Sequence, residues 1–526
     1  MRQVQILDCT LRDGGYCNDC YFGFKNEIKI VNGLVEANVD LIECGFFRES
    51  AEYDRDYTRF NSLEQVGRII PKNRSGKLFV VLADYGKFDP KKLPDFDGLS
   101  VDGIRVAFHK KDRIGGLEAC RKVKEKGYKV FIQAMVSAAY TDEEFLELIN
   151  KVNEIEPYAF YIVDSFGVMK RKDLARLFYI VEHNLKPCIW IGFHSHNNMQ
   201  LAYSNAQSLV DMQTKHNLII DSSVYGMGRG AGNLNTELFV QYLNENADGE
   251  YKLRPLLEII DDIINEFYQK NYWGYSLSNY LSASHNAHPN YARYLDDKKT
   301  LTVENMNEIF EMMDEQKKIA FDKAYIEELY LRYMATGNVQ EEHKNELKMQ
   351  LSGKTVLLVA PGKSSVDERK KIAEFSERKN VFTISVNFNY PEIEVNYIFL
   401  SNLRRFRELE PEKRCKCIVT SNIPADNIYL QLNYRDLISN VQEVRDNAGL
   451  MAVKFLILYG VKEIYLAGFD GYAHDVNENY GDSRLAFVTR NAVLDAMNEG
   501  MTKVLRSYCK EIRIRFLTRP RNIMIL

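Results

Sequence analysis

Eight short apolar runs, each rich in β-branched or aromatic residues and most followed by a stretch of helical period, fill the first ~240 residues of the chain. They are Val4–Cys9, Val39–Phe46, Leu78–Asp84, Gly103–Phe108, Lys129–Val136, Ala159–Asp164, Trp190–His196 and Ile219–Gly226. Runs without polar alternation suit parallel strands buried on both faces by helices. Eight such units predict an α/β fold of the closed (β/α)8 TIM-barrel kind. A doubly wound open sheet is the rival, but it would not gather polar residues at the end of every strand. Here the ends read LDCTLRDGG, IECGF, VLADYG, IRVAFHK, IQAMVS, VDSFG, FHSHNN and YGMGRGAGN. Barrel active sites lie at that end.

At 526 residues the chain exceeds what one hydrophobic core supports. Residues 1–250 form the expected barrel domain. Residues 251–350 read as a helical extension, through LRPLLEIIDDIINEFY, NMNEIFEMMDEQKK and KAYIEELYLRYM, with the charged stretch Glu341–Lys354 as a linker or solvated helix. From 351 to 526 strands return at Thr355–Ala360, Phe382–Asn387, Tyr397–Ser401, Lys416–Thr420, Glu463–Gly468 and Ile512–Leu517, predicting a smaller Rossmann-like α/β domain. The net charge of −4 carries no basic field for nucleic acid. No apolar stretch is long enough to span a membrane. The start MRQVQILDC lacks a basic-then-apolar leader, and nine scattered cysteines form no disulfide framework, so a reducing cytoplasm is expected. The pair Cys17 and Cys20 has no second pair nearby and reads as loop thiols.

Two motifs carry the chemistry. Asp8-Cys9-Thr10-Leu11-Arg12-Asp13-Gly14-Gly15 leaves the first strand, and His194-Ser195-His196-Asn197-Asn198 ends the seventh. Alternate strand residues share a face, so His194 and His196 point the same way. Two imidazoles with a carboxylate from the first strand make a ligand set with open positions for Mn2+, Mg2+, Co2+ or Zn2+. Packing histidines without a metal are the alternative for the HSH pair alone.

Together, TLRDGG, ECGF, FHSHNN and GMGRGAGN resemble the metallolyase barrels that include 3-hydroxy-3-methylglutaryl-CoA lyase, isopropylmalate synthase and 4-hydroxy-2-oxovalerate aldolase. The similarity covers roughly residues 1–300 and is greatest to the aldolase branch. The resemblance implies metal ligation by Asp13, His194 and His196, with Asn233 close to the ion, Mn2+ favoured, and Arg12 stabilising an enolate oxygen while Glu43 pairs with it. It implies a pyruvate aldolase that cleaves or forms a 4-hydroxy-2-keto acid through a metal-bound enolate. The branch places a histidine shortly after RDG; this chain has Tyr16, which serves as the acid–base group if the metal and Arg12 lower its pKa. In HPNYARYL, Tyr291 is a second acid–base candidate and His288 a substrate-binding one. The partners expected are a 2-keto acid and an aldehyde, with the chain as a homodimer. Alternative readings are a Claisen-type acyltransferase condensing acetyl-CoA with a 2-keto acid, and a non-catalytic nucleotide-binding sensor.

In the C-terminal domain, TVLLVAPGKSS runs from a strand into a turn. Leu357 stands where a P-loop needs its first glycine, so that motif is rejected. Gly362 and Ser364 remain candidates for a looser phosphate or nucleotide site.

Overall fold

A computed structural model describes residues 3–298, 301–337, 343–390, 392–485, 487, 489 and 491–524. The chain divides into two compact units, Met1–Arg293 with Glu315–Phe321, and Tyr294–Asp314 with Asp322–Leu526. The helical stretch after the barrel is thus shared between them. Helices form at Leu253–Ile259, Asn265–Lys270, Val303–Glu311, Lys323–Met334 and Lys344–Leu351. Residues 341 and 342 of the expected linker lie outside the described residues. Among the described residues no helix is long and apolar enough to cross a membrane.

The first unit is a closed parallel barrel. Its strands are β1 (Val4–Asp8), β2 (Leu41–Phe47), β3 (Leu78–Asp84), β4 (Gly103–Phe108), β5 (Lys129–Ala134), β6 (Ala159–Asp164), β7 (Trp190–Ser195) and β8 (Leu218–Ser222). Each pairs with the next, and β1 closes the ring on β2 and β8, with Leu7 opposite Leu41 and Asp221. Beyond a register shift in β2 between Glu43 and Phe46, the short strand Arg59–Phe60 pairs with its end. After β3 the connection is only the single turn Pro90–Lys92, because KFDPKKLPDFDG is too rich in proline, glycine and aspartate for a helix.

Strand periodicity sorts the side chains. Ile6, Ile42, Ile104, Val106, Ile132, Phe160, Phe193 and Ile220 face outward into the core shared with the helices. Their neighbours Leu7, Leu41, Val80, Phe131, Tyr161 and Ile219 fill the barrel. Continuing that inner set toward the strand ends brings in Glu43, Arg105, His194 and Asp221, all buried. The floor under them is the ring of Tyr161, which occupies the space that a Cβ on Gly192 would take.

The second unit is a seven-stranded parallel sheet with strands β9 (Thr355–Val359), β10 (Val381–Val386), β11 (Tyr397–Leu400), β12 (Cys417–Thr420), β13 (Leu430–Leu432), β14 (Glu463–Ala467) and β15 (Arg513–Phe516). Their order is β13-β12-β11-β10-β9-β14-β15. The direction of winding reverses at β9 and β14, whose following turns meet. Gly362 N–H donates to Gly468 O (3.1 Å), and Gly468, at φ +71°, leaves no room for a side chain against Ala360 O.

Replacing Gly192 with alanine drives a methyl group into the Tyr161 ring. We expect a loss of about 1–3 kcal/mol of stability in urea unfolding; a variant as stable as the parent would refute this packing.

Candidate metal centre and active site

The turn after β1 folds back, with Arg12 N–H and Asp13 N–H both donating to Cys9 O (3.1 and 2.8 Å), and this carries Asp13 to the barrel axis. There one ligand atom from each of Asp13, His194 and His196 lies within 4.8 Å of the others, all buried. His194 directs Nδ1 to Asp221 Oδ2 (2.9 Å), which leaves Nε2 for an ion. His196 Nδ1 is buried without a hydrogen bond and stands 3.8 Å from Asp13 Oδ2. Asn233 Nδ2 donates to Asp13 Oδ2 (2.8 Å) and Met227 O (3.1 Å), while its Oδ1 is buried and unpartnered.

The electrostatics suit a cation. Burial penalises the charge of Asp13, but Arg12, the two imidazoles and Arg229 outweigh it and hold the carboxyl well below its ordinary range. Burial lowers His196 to about 3, so its imidazole is neutral and a lone pair is available. One ionised carboxylate, two imidazoles and orphaned buried polar atoms beside them fit a divalent ion with open positions.

Around this triad runs a chain of alternating charge. Arg12 Nη1 donates to Asp13 Oδ1 (2.5 Å) and its Nε to Glu43 Oε2 (2.7 Å). Arg105 Nη1 stands 2.8 Å from that same Glu43 oxygen, and its Nη2 meets Asp221, which holds His194. Both ends of the chain are candidate ligands, so it closes through the metal centre. Arg105 is 0% exposed and lies 4.8 Å above the Tyr161 ring. Arg105 and Asp221 were not singled out from the sequence. Their signal was a charged residue at an inward position of an otherwise apolar strand.

The other candidates separate. Tyr16 is 38% exposed at the mouth, edge-on to Phe46 and 5.4 Å from Arg229 Cζ. Loss of water around the hydroxyl raises its phenol above the ordinary value, and Arg229 and Arg12 oppose this. His288 Nδ1 accepts from Asn290 N–H (3.2 Å), which places its proton on Nε2, 3.4 Å from Arg229 Nη1; burial and that guanidinium lower it to about 2. Tyr291 is fully buried, its hydroxyl lodged between Lys317 O (2.8 Å) and Ala320 O (2.7 Å). Its expected acid–base role is corrected to a packing one. Cys17 Sγ donates to Gly228 O (3.1 Å), as a loop thiol can.

In the second unit, Ser364 N–H and Oγ–H both donate to the Asp470 carboxylate (2.7 and 2.5 Å). With Gly362 N–H on Gly468 O and both Ser364 donors on the Asp470 carboxylate, the donors an anion there would need are already engaged, which corrects that expectation.

The HMGL-like family profile matches residues 115–263. The 4-hydroxy-2-oxovalerate aldolase of Pseudoalteromonas translucida is 25% identical over 269 residues, 50% of this chain and 76% of that one. The enzyme of the same name from Geobacillus stearothermophilus is 28% identical over 267 residues, 49% of this chain and 76% of that one. A crystal structure of the N-terminal domain of a provisionally assigned aldolase from Bacteroides vulgatus is 27% identical, with a TM-score of 0.50, covering 57% of this chain and 98% of that domain.

Asp221→Asn keeps the shape but removes the charge that orients His194. We expect Mn2+ affinity to fall about 10–100-fold in calorimetric titration with native far-UV dichroism; unchanged affinity would remove Asp221 from the site's support.

Proposed function

Given a barrel of the HMGL-like metallolyase superfamily, we propose that this chain is a divalent-metal-dependent pyruvate aldolase acting on a 4-hydroxy-2-keto acid. The observation that carries the reading is the closed chain of charge that presents Asp13, His194 and Arg12 to one buried point, with His196 beside them. The similarity to aldolases over the barrel supports the same chemistry.

Asp13, His194 and His196 would hold the ion, Mn2+ by our choice, and it would supply a Lewis acid for the keto oxygen. Arg12 has Nε and Nη1 fixed by Glu43 and Asp13. Its Nη2 edge is left to donate to the oxygen on which negative charge develops as the carbon–carbon bond breaks. Glu43 cannot turn away, because Arg105 grips it from behind. The proton of the 4-hydroxyl must leave in cleavage and return in condensation. Tyr16, at the open end of the barrel, gives its phenolic proton to the aldehyde oxygen in condensation and, as the phenolate, takes the 4-hydroxyl proton in cleavage. His288, neutral and with its proton on Nε2, donates a hydrogen bond to the substrate rather than acting as a base.

Incubation with pyruvate in deuterated water and Mn2+ is expected to exchange the pyruvate methyl protons, and a chelator to stop it. Arg12→Lys, which loses the planar fork, is expected to slow exchange on the order of a hundredfold or more. Exchange into acetyl-CoA in place of pyruvate would turn the assignment to a Claisen condensation, and silence with both would end it.

A further inference from the structure

Arg229 is a cation beside the triad that the chain of charge does not use. It stands on the turn after β8, next to Gly228, whose Cα lies so close to the ligand Asp13 that a Cβ there would be 2.8 Å from Asp13 Oδ2. Its guanidinium lies over the Tyr16 ring. Nη1 lies 3.4 Å from His288 Nε2, a long contact to a neutral ring that supplies no negative charge. Nη2 makes a long contact to Ser165 O (3.3 Å), and Nε is buried with no partner. Among the described residues no carboxylate forms an ion pair with it.

A half-buried guanidinium with an idle donor and no carboxylate in contact is unfavourable unless a ligand supplies one. The charges say which ligand. The closed chain contains three carboxylates, Asp13, Glu43 and Asp221, and two guanidiniums, Arg12 and Arg105. With neutral imidazoles, a divalent ion and one singly charged keto acid bring that cluster to neutrality. The charge of Arg229 is then left over. Held between His288 and Tyr16, the group assigned to the aldehyde oxygen, it stands beside the aldehyde half of that reaction.

We propose that Arg229 recognises an anionic group on the aldehyde half of the substrate, a carboxylate or a phosphate remote from the reacting carbonyl. The inference rests on the aldolase reading and narrows its substrate class. The Nε edge and one Nη form the fork that such anions accept. The Tyr16 ring beneath holds the fork flat and brings the proton donor beside the bound aldehyde.

The test uses the full chain with Mn2+ and pyruvate, and two pairs of aldehydes: glyceraldehyde 3-phosphate against glyceraldehyde, and succinic semialdehyde against butanal. The charged member of at least one pair is expected to react with kcat/KM about ten- to a hundredfold above its neutral partner, and which pair shows this identifies phosphate or carboxylate. Arg229→Met is expected to erase most of that ratio and Arg229→Lys to keep part of it, with melting temperatures confirming that both variants fold. A wild type indifferent to charge overturns the proposal. So does an Arg229→Met that loses the same factor on both members, which would put Arg229 on the keto acid. Absence of solvent exchange into pyruvate in the wild type removes the aldolase reading itself, and this inference with it. Exchange without charge selectivity removes the inference alone.

Discussion

The fully buried guanidinium of Arg105, pinned between Glu43 and Asp221, is the contact on which the geometry of the barrel's open end depends. An uncompensated charge in that position would cost several kcal/mol, and breaking such a buried pair typically costs about 3–5 kcal/mol. Neither carboxylate can therefore rotate away without leaving Arg105 half paired. Glu43 fixes Arg12, which fixes Asp13; Asp221 fixes His194. Two candidate ligands far apart in sequence, one in the turn after β1 and one on β7, are thus held to one geometry through a single side chain on β4.

The barrel was legible because its signal is repeated. Three of the eight apolar runs coincided with their strands at both ends and the others matched to within four residues at either end, since a parallel strand buried on both faces leaves a dense and local mark. The triad was legible because His194 and His196 sit two apart on a strand and Asp13 lies in an unusually polar turn. Arg105 and Asp221 were hidden inside runs read only as strands. Their meaning lies in pairing across the barrel, 116 residues apart, which no local pattern carries. In the second unit, β13 was missed because three residues, Leu430–Leu432, make too short a run to stand out.

The misread residues share one cause. Tyr291 and Ser364 were chosen by residue type and neighbourhood, and both prove to have their polar groups satisfied within the protein. The Tyr291 hydroxyl serves two carbonyls, and the Ser364 donors serve Asp470. A turn that opens a helix attracts an external anion only when the chain does not bring its own. Here the turn after β14 does so, and Asp470, which burial pushes above its ordinary pKa, is stabilised in its charged form by those Ser364 bonds.

The opposite pattern marks the site. His196 Nδ1, Asn233 Oδ1 and Arg229 Nε are buried polar atoms left without partners, on a candidate ligand or on the turn beside Asp13. Away from the site some buried groups are paired, as Asp8 accepts from Thr10 and Thr236 and Asp164 from three backbone N–H groups, and others, such as Glu27, are not. Folding leaves polar groups unsatisfied at a cost of about 1–3 kcal/mol each. Several together, beside a carboxylate forced to stay ionised and an imidazole forced to stay neutral, amount to a cavity whose interactions are completed from outside. The two kinds of orphan differ in sense. A lone pair on His196 and the carbonyl of Asn233 call for a cation or a donor, whereas the idle N–H of Arg229 calls for an anion. A keto acid seated between them with its metal satisfies the first kind and leaves the second unmet, so the site's own unpaired groups ask for two ligands of opposite demand.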